Sequence, residues 1–310
     1  MSSVTLVESA KLSQNMLIQG VIENIIVVDR FYEIMPFMEI EGNALSYNRE
    51  NALGDVQNLG VGGTITAKAP ATFTNVTTSL TTIIGDAEVN GLIQATRSNI
   101  TDQKATQIAS KAKNIGNTYR TQLLTGDGTG NTITGLLSLA AAGQSIVQDT
   151  SGVETNGGAL TFEKMDELLD LVTDKNGEVD YIQMNARTIR SYFSLLRALG
   201  GAGIGDVVTL PSGAQVPGYR GTPIFRNDNM PVDQTTGTLT TGTSIVAGTI
   251  DDGSRTMGIS GLTAMGEAGL RVTNIGESET KDENITRLKF YNGLANFSEK
   301  GLAILTGVSN

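Results

Sequence analysis

The sequence predicts an α+β chain in which a few well-marked helices are set among long stretches of strand and turn. Three observations carry that expectation. Ala105, Ile108, Ala112, Ile115, Tyr119 and Leu123 recur at three- and four-residue spacing, the mark of an amphipathic helix. That helix runs into Leu124-Thr125-Gly126-Asp127-Gly128-Thr129-Gly130, where glycine stops a helix by taking left-handed conformations at little steric cost. By contrast, residues 39–85 carry few helix signals and are rich in Gly, Thr, Asn and Val, which favours strands and turns.

In chain order, residues 5–35 read as an amphipathic helix built on Leu12, Met16, Ile22, Ile25 and Ile26 and ended by Pro36. Phe73, Val76, Leu80 and Ile83, with threonines between them, predict β-structure. Leu59-Gly60-Val61-Gly62-Gly63-Thr64, followed by Ala67-Lys68-Ala69-Pro70, predicts a hairpin tip or bend. A polar hairpin of this length has little core of its own, so it should lie on a neighbour. From Asp86 to Leu124 the pattern is helical, with a break around Ser98 to Asp102. Residues 143–158 form a Gly/Ser/Gln/Thr-rich connector and the best domain boundary. Thr161 starts a helix carrying Leu168, Leu169 and Val172; it lacks a full capping box because Lys164 stands where Glu or Gln is wanted. Tyr181 to Met184 is a short buried strand. Asn185 caps a helix through Ile189, Phe193, Leu196 and Leu199 that Gly200-Gly201 closes. Strands including Thr222 to Phe225 follow Pro211. Residues 234–244 read as a surface loop. Residues 245–257 and 284–305 read as strands, broken at Gly253, Gly293 and Gly301.

Composition excludes several kinds of chemistry. The 310 residues carry 32 acidic and 22 basic groups, a net charge of -10, so tight nucleic-acid binding over the whole surface is not expected. There is no cysteine and no histidine, which removes disulfides, thiolate chemistry, the commonest metal ligand and the usual general base. The N-terminus has no basic start followed by an apolar stretch, and the apolar residues 21–28 are too few to span a bilayer. Synthesis and folding in a cytoplasm are expected.

The local motifs resolve into structural roles. Gly126-Asp127-Gly128-Thr129-Gly130 follows a helix rather than a strand and leads to no Gly-Lys-Ser/Thr, so it is neither a phosphate loop nor a dinucleotide fingerprint. Asp127, Thr129 and Asn131 alternate like calcium ligands, but Thr132 and Ser138 stand where an EF-hand needs glycine and glutamate. Asp251-Asp252 and the cluster Glu277, Glu279, Lys281, Asp282 and Glu283 read as solvated surface. No catalytic, cofactor-binding or metal-ligating residue is assigned.

Several landmarks then fall in a familiar order: Met35-Pro36-Phe37, the segment Gly42-Asn43-Ala44-Leu45-Ser46-Tyr47-Asn48-Arg49-Glu50-Asn51, the long helix ending at Leu124 to Gly130, Gly135-Leu136, the strand and helix from Tyr181 to Leu199, and Gly218-Tyr219-Arg220-Gly221-Thr222-Pro223-Ile224. Together they resemble the major capsid protein of tailed bacteriophages, the Hong Kong 97-type (HK97-like) shell fold, over nearly the whole chain. The resemblance implies an N-terminal arm (1–38), an extended β-hairpin loop (39–85), a first part of a peripheral domain with a long spine helix (86–142), an axial domain (143–244) and a second peripheral part (245–310). It implies hexamers and pentamers closing an icosahedral shell around double-stranded DNA, a virion location, and assembly in the host cytoplasm. It places Lys104, Lys111, Lys113 and Arg120 towards the interior, in weak contact with packaged DNA. Gly62, Gly63, Lys68 and Pro70 mark the inter-subunit loop tip. Lys68 lies where some members carry a crosslinking lysine; no partner asparagine with an activating glutamate is assigned near residues 274–284. The arm begins close to Met1, so a separate scaffolding protein is expected, with portal and decoration proteins and no membrane partner. The alternatives are an encapsulin-type nanocompartment shell, a Thr/Gly-rich surface adhesin, and a carboxylate-dependent enzyme.

Overall fold

The computed structural model describes residues 30–97, 102–149, 156–174, 177–199 and 207–309. Most of the helix expected over 5–35, the break at 98–101 and the glycines at 200–201 lie outside these residues. What is described of the first segment is a 3-10 turn, Phe31–Glu33, followed by Pro36.

Sixteen strands form three sheets among the described residues. The first sheet holds β1 (Phe37–Ile40), β13 (Ile259–Ala264), β15 (Glu283–Asn296) and β14 (Leu270–Glu277), with β4 (Thr81–Asn90) also paired to β15. The long β15 serves two partner sets. Its first ten residues pair with β4 antiparallel from Glu283↔Asn90 to Asn292↔Thr81, and its end pairs with β13. The second sheet runs β5 (Ser145–Val147), β16 (Leu302–Ser309), β12 (Leu239–Gly248), β7 (Tyr181–Met184), β10 (Thr222–Arg226), β9 (Gln215–Tyr219) and β8 (Val207–Thr209); β6 (Gly158–Ala159) joins β16, and β11 (Gln234–Thr236) joins β12. The third is a two-stranded ribbon of β2 (Ala44–Ala52) and β3 (Thr72–Ser79).

The second sheet is buried on both faces, and its strands alternate between two cores as a two-residue period requires. Tyr181, Phe225, Val246, Leu302 and Ile304 face one core, where Phe31, Tyr119, Leu123, Leu124 and Leu136 close over them. Ile182, Ile224, Ile245, Ala247, Ala303 and Leu305 face the other, under two helices, α4 (Phe162–Thr173) and α5 (Ala186–Ala198). Both helices start as their sequences predict. The Thr161 hydroxyl accepts from the Lys164 N–H and the Asn185 carboxamide from the Arg187 N–H.

A short helix, α1 (Gly91–Arg97), precedes the long helix α2 (Gln103–Thr125), which Asp102 caps by accepting from the Lys104 and Ala105 amides. Ile115 of α2 packs on Ala87 and Leu288, so the helix lies across β4 and β15. After α2 the chain folds back on itself. The Gly135 N–H donates to the Gly126 carbonyl at 2.8 Å, and a four-residue helix, α3 (Leu136–Leu139), follows. The stop differs from the expected one. Gly126 has φ -58, and it is glycine because its would-be Cβ meets the Ile133 carbonyl oxygen at 2.1 Å; Gly128 and Gly130 hold the left-handed positions.

Four expectations are corrected. Residues 86–90 continue β4, and the helix begins only at Gly91, because Asp86 to Asn90 pair with β15. The connector at 143–158 contributes β5 and β6, both parallel to β16. Residues 234–244 form the β11–β12 hairpin, and Thr243 and Ser244 are buried. Gly293 does not break its strand; it lies within β15, where Leu262 and Leu80 pack against it.

Candidate assembly surfaces

The ribbon of β2 and β3 is the most conspicuous candidate surface. Its inner part is anchored on the turn between β15 and β16. The Tyr47 hydroxyl donates to the Asn296 carbonyl at 2.6 Å, and its ring packs on Phe297 with centroids 5.2 Å apart. Arg49 donates to the carbonyls of Phe297 and Asn296 and pairs with Glu299. Burial pushes the Tyr47 phenol above its ordinary value despite the neighbouring Arg49.

The outer part is different. Leu53 is 79 % exposed, Val56 93 % and Phe73 65 %, and Leu59, Val61 and Ile65 are also open to solvent. An apolar patch of this kind on a two-stranded ribbon is the mark of an interaction site. The loop nevertheless holds one shape. The Gln57 carboxamide oxygen accepts from the Thr66 amide (2.6 Å), the Thr66 hydroxyl (2.8 Å) and the Ala67 amide (2.7 Å), while its nitrogen donates to the Thr64 carbonyl at 3.1 Å. At the tip, Gly62 has φ +82 and the Gly63 amide donates to the Gly60 carbonyl. Lys68 and Pro70 lie exposed on the returning limb. The sequence marked the glycines and Lys68, but Tyr47, Arg49 and Gln57 were missed. Arg49, a lone base in a polar strand, was the available signal, and Gln57 gave none.

The four basic residues of α2 do not share one stripe. At about 100° per residue, Lys104 and Lys111 fall on one side of the buried row Ile108, Ile115, Tyr119 and Leu123, and Lys113 and Arg120 on the other. Lys104 Nζ donates to Asn284 Oδ1 at 2.7 Å, and the Arg120 guanidinium lies 5.6 Å from the Tyr32 ring centre. Lys111 and Lys113 are exposed.

The glycine loop after α2 is a closed polar turn. Asp127 accepts from the Thr129 hydroxyl and amide and from the Thr132 hydroxyl, which hold its carboxyl down at about 2. These internal partners use the oxygens that a cation would need. Among the described residues, no group of three or more acidic side chains is placed to hold a metal ion, and no helix is long and apolar enough to cross a membrane.

Neither a protein-family model nor a curated protein matches the sequence. Solved structures match it along nearly its whole length. One is the holo-SrpI encapsulin complex of Synechococcus elongatus PCC 7942, with TM-score 0.73 and 19 % identity, covering 99 % of this chain and 97 % of that one. Another is the cyanophage A-1(L) capsid, with TM-score 0.68 and 14 % identity over 97 % and 98 % of the two chains. A third is the capsid of the native GTA particle, with TM-score 0.63 and 13 % identity over 98 % and 100 %. The chain has the Hong Kong 97-type shell fold that these capsid and encapsulin proteins share.

Proposed function

We propose that this chain is a major capsid protein whose copies assemble into the hexamers and pentamers of an icosahedral shell around double-stranded DNA. The observation that carries the reading is the ribbon. Its inner half is bonded to its own subunit through Tyr47 and Arg49, while its outer half exposes Leu53, Val56 and Phe73 in a fold shared with capsids. Such a surface gains its burial from a neighbouring copy, so assembly adds stability to a subunit that already has its own cores. Within this reading, 1–38 is the arm, 39–85 the extended loop, 86–142 and 245–310 the peripheral domain, and 143–244 the axial domain. The loop tip at Gly62, Gly63, Lys68 and Pro70 reaches the neighbour. Lys104, Lys111, Lys113 and Arg120 face inward and touch DNA weakly, in a chain whose net charge of -10 otherwise repels it. The product is a virion shell and not a reaction, assembled in the host cytoplasm with separate scaffolding, portal and decoration proteins.

A second reading, a nanocompartment shell, is favoured by the TM-score of 0.73 to an encapsulin. Electron microscopy of the protein expressed alone and with its neighbouring genes separates the readings. Shells or rings containing DNA support the capsid, and shells filled with protein support the nanocompartment. A monodisperse monomer under all conditions overturns both.

A further inference from the structure

The second sheet carries two helices of opposite charge on one face. β6, β7 and β10 run parallel, since β6 is parallel to β16, β12 is antiparallel to both β16 and β7, and β10 is parallel to β7. Two successive right-handed crossovers, β6–α4–β7 and β7–α5–β10, therefore lay α4 and α5 side by side on the same face. α4 sits over β16 and β12, towards one edge of the sheet. α5 lies towards the other edge, where Ile189 and Phe193 line an apolar groove of about 340 Å³ with Val216 and Pro217.

Glu163, Glu167, Asp170 and Asp174 recur at four, three and four residues, forming one stripe opposite the buried Met165, Leu168, Leu169 and Val172. On α5, Arg190 and Arg197 are seven residues apart, opposite the buried Thr188 and Tyr192, and share a shallow hollow with Phe193. Lys164 answers Glu167, and Arg220 reaches Asp166 and Asp170. Among the described residues, Glu163, Asp174, Arg190 and Arg197 have no ion-pair partner. One layer of the subunit is thus acidic towards one edge and basic towards the other.

We propose that the arginine stripe of α5 docks on the acidic stripe of α4 in a second copy of this chain, joining subunits head to tail. The inference rests on the shell-forming reading above and names the contact that sets the ring. Like stripes repel and unlike stripes attract, and a copy that gives its arginine stripe to one neighbour and its acidic stripe to another makes a heterologous contact, which closes into a ring when its rotation closes. The apolar groove beside Arg190 adds area that water leaves when the edge is covered.

The test uses the full chain in two variants. Arg190→Glu/Arg197→Glu makes both edges acidic, and Glu163→Lys/Asp170→Lys/Asp174→Lys makes both basic. Each alone is expected to lower the fraction of rings and shells at least about tenfold, with the circular dichroism and thermal midpoint of the isolated subunit close to those of the unaltered isolated subunit. Mixing the two restores six-membered rings, in which the variants alternate, read as equal amounts of each by mass spectrometry. Assembly of either variant at the original yield, or failure of the mixture to assemble, overturns the proposal while shells of the unaltered chain keep the functional reading intact. If the unaltered chain itself never assembles, both readings fall.

Discussion

Asp86 and Arg287 stand opposite each other on β4 and β15, joined by two parallel hydrogen bonds. Arg287 Nε donates to Asp86 Oδ1 at 2.8 Å and Nη2 to Oδ2 at 2.7 Å. This fork pins the strand that returns from the extended ribbon to the strand that crosses both parts of the first sheet. The Arg287 hydrogen bonds hold the Asp86 carboxyl below its ordinary 3.8, and Lys111 and Lys289 act in the same direction. A carboxyl with a lowered folded-state value contributes its stability above the unfolded value and loses it as pH falls through the folded one. Asp86→Asn is therefore expected to lower the thermal midpoint by a few degrees at neutral pH. The gap between the two proteins should close below about pH 4, as protonation removes the contribution from the unaltered chain. A gap that persists unchanged to pH 3 would show that the fork acts through shape alone.

The turn after α2 separates two uses of glycine. At Gly126 an added methyl would lie 2.1 Å from the Ile133 carbonyl oxygen and 2.5 Å from that of Gln122; both are backbone atoms, and the Gln122 carbonyl accepts from the Gly126 N–H at 2.8 Å. At Gly130 an added methyl meets nothing, but φ is +63. Gly126→Ala should cost about 2–3 kcal/mol through forced displacement of the turn. Gly130→Ala should cost about 1 kcal/mol through backbone strain. Denaturant unfolding of the two variants ranks them, and the reverse order would refute this account of the turn.

Much of this architecture was legible in the sequence because it rests on local rules. The cap at Asn185, the four buried residues from Tyr181 to Met184 and the apolar row of α2 are all fixed by spacing and residue type. The misreadings share one cause. Residues 234–244 and 143–158 look like loops because Thr, Gly and Ser dominate them, yet tertiary pairing makes them strands against β12 and β16. Strand preference depends on the neighbour, which one stretch of sequence does not display. The surfaces were harder still. The resemblance places the four bases of α2 together towards the interior, yet helical spacing about the buried Ile115 and Tyr119 puts two on each side of that row.

Tyr181 is fully buried in the core against Phe31, with ring centroids 4.8 Å apart, and its hydroxyl has no hydrogen-bond partner among the described residues. Burial raises its phenol far above the ordinary range, so it stays neutral at every working pH. An unpaired buried hydroxyl is a net loss, and removing it leaves the ring in place. Tyr181→Phe should keep the fold and raise stability by up to about 1 kcal/mol, read by chemical unfolding. Destabilisation by more than that would reveal a partner for the hydroxyl, such as a buried water.

Lys111 and Lys113 lie on opposite sides of the buried row of α2, both exposed. If the helix faces the interior, reversing both charges replaces two attractions per subunit by two repulsions against packaged phosphate. Lys111→Glu/Lys113→Glu is then expected to assemble normally but lose DNA at a lower temperature, with the difference shrinking as salt screens it. Retention of DNA equal to that of unaltered particles at low salt would place this helix away from DNA.

The outer ribbon offers the clearest separation of folding from assembly. Leu53, Val56 and Val61 are open to solvent and touch no core, whereas Gln57 holds the loop that presents them through four hydrogen bonds. Charging a solvent-exposed position alters subunit stability by no more than about 0.5 kcal/mol, but it places an unpaired charge in any contact the loop makes. Val56→Asp/Val61→Asp should therefore leave the thermal midpoint of the isolated subunit unchanged and sharply reduce the yield of closed shells. Gln57→Ala should act more mildly, because the apolar residues survive and only their presentation loosens. Microscopy and sedimentation of the three proteins decide the matter. A charged loop that still closes shells at full yield would remove the ribbon from the contact, and the source of assembly would have to lie in the helical edges alone.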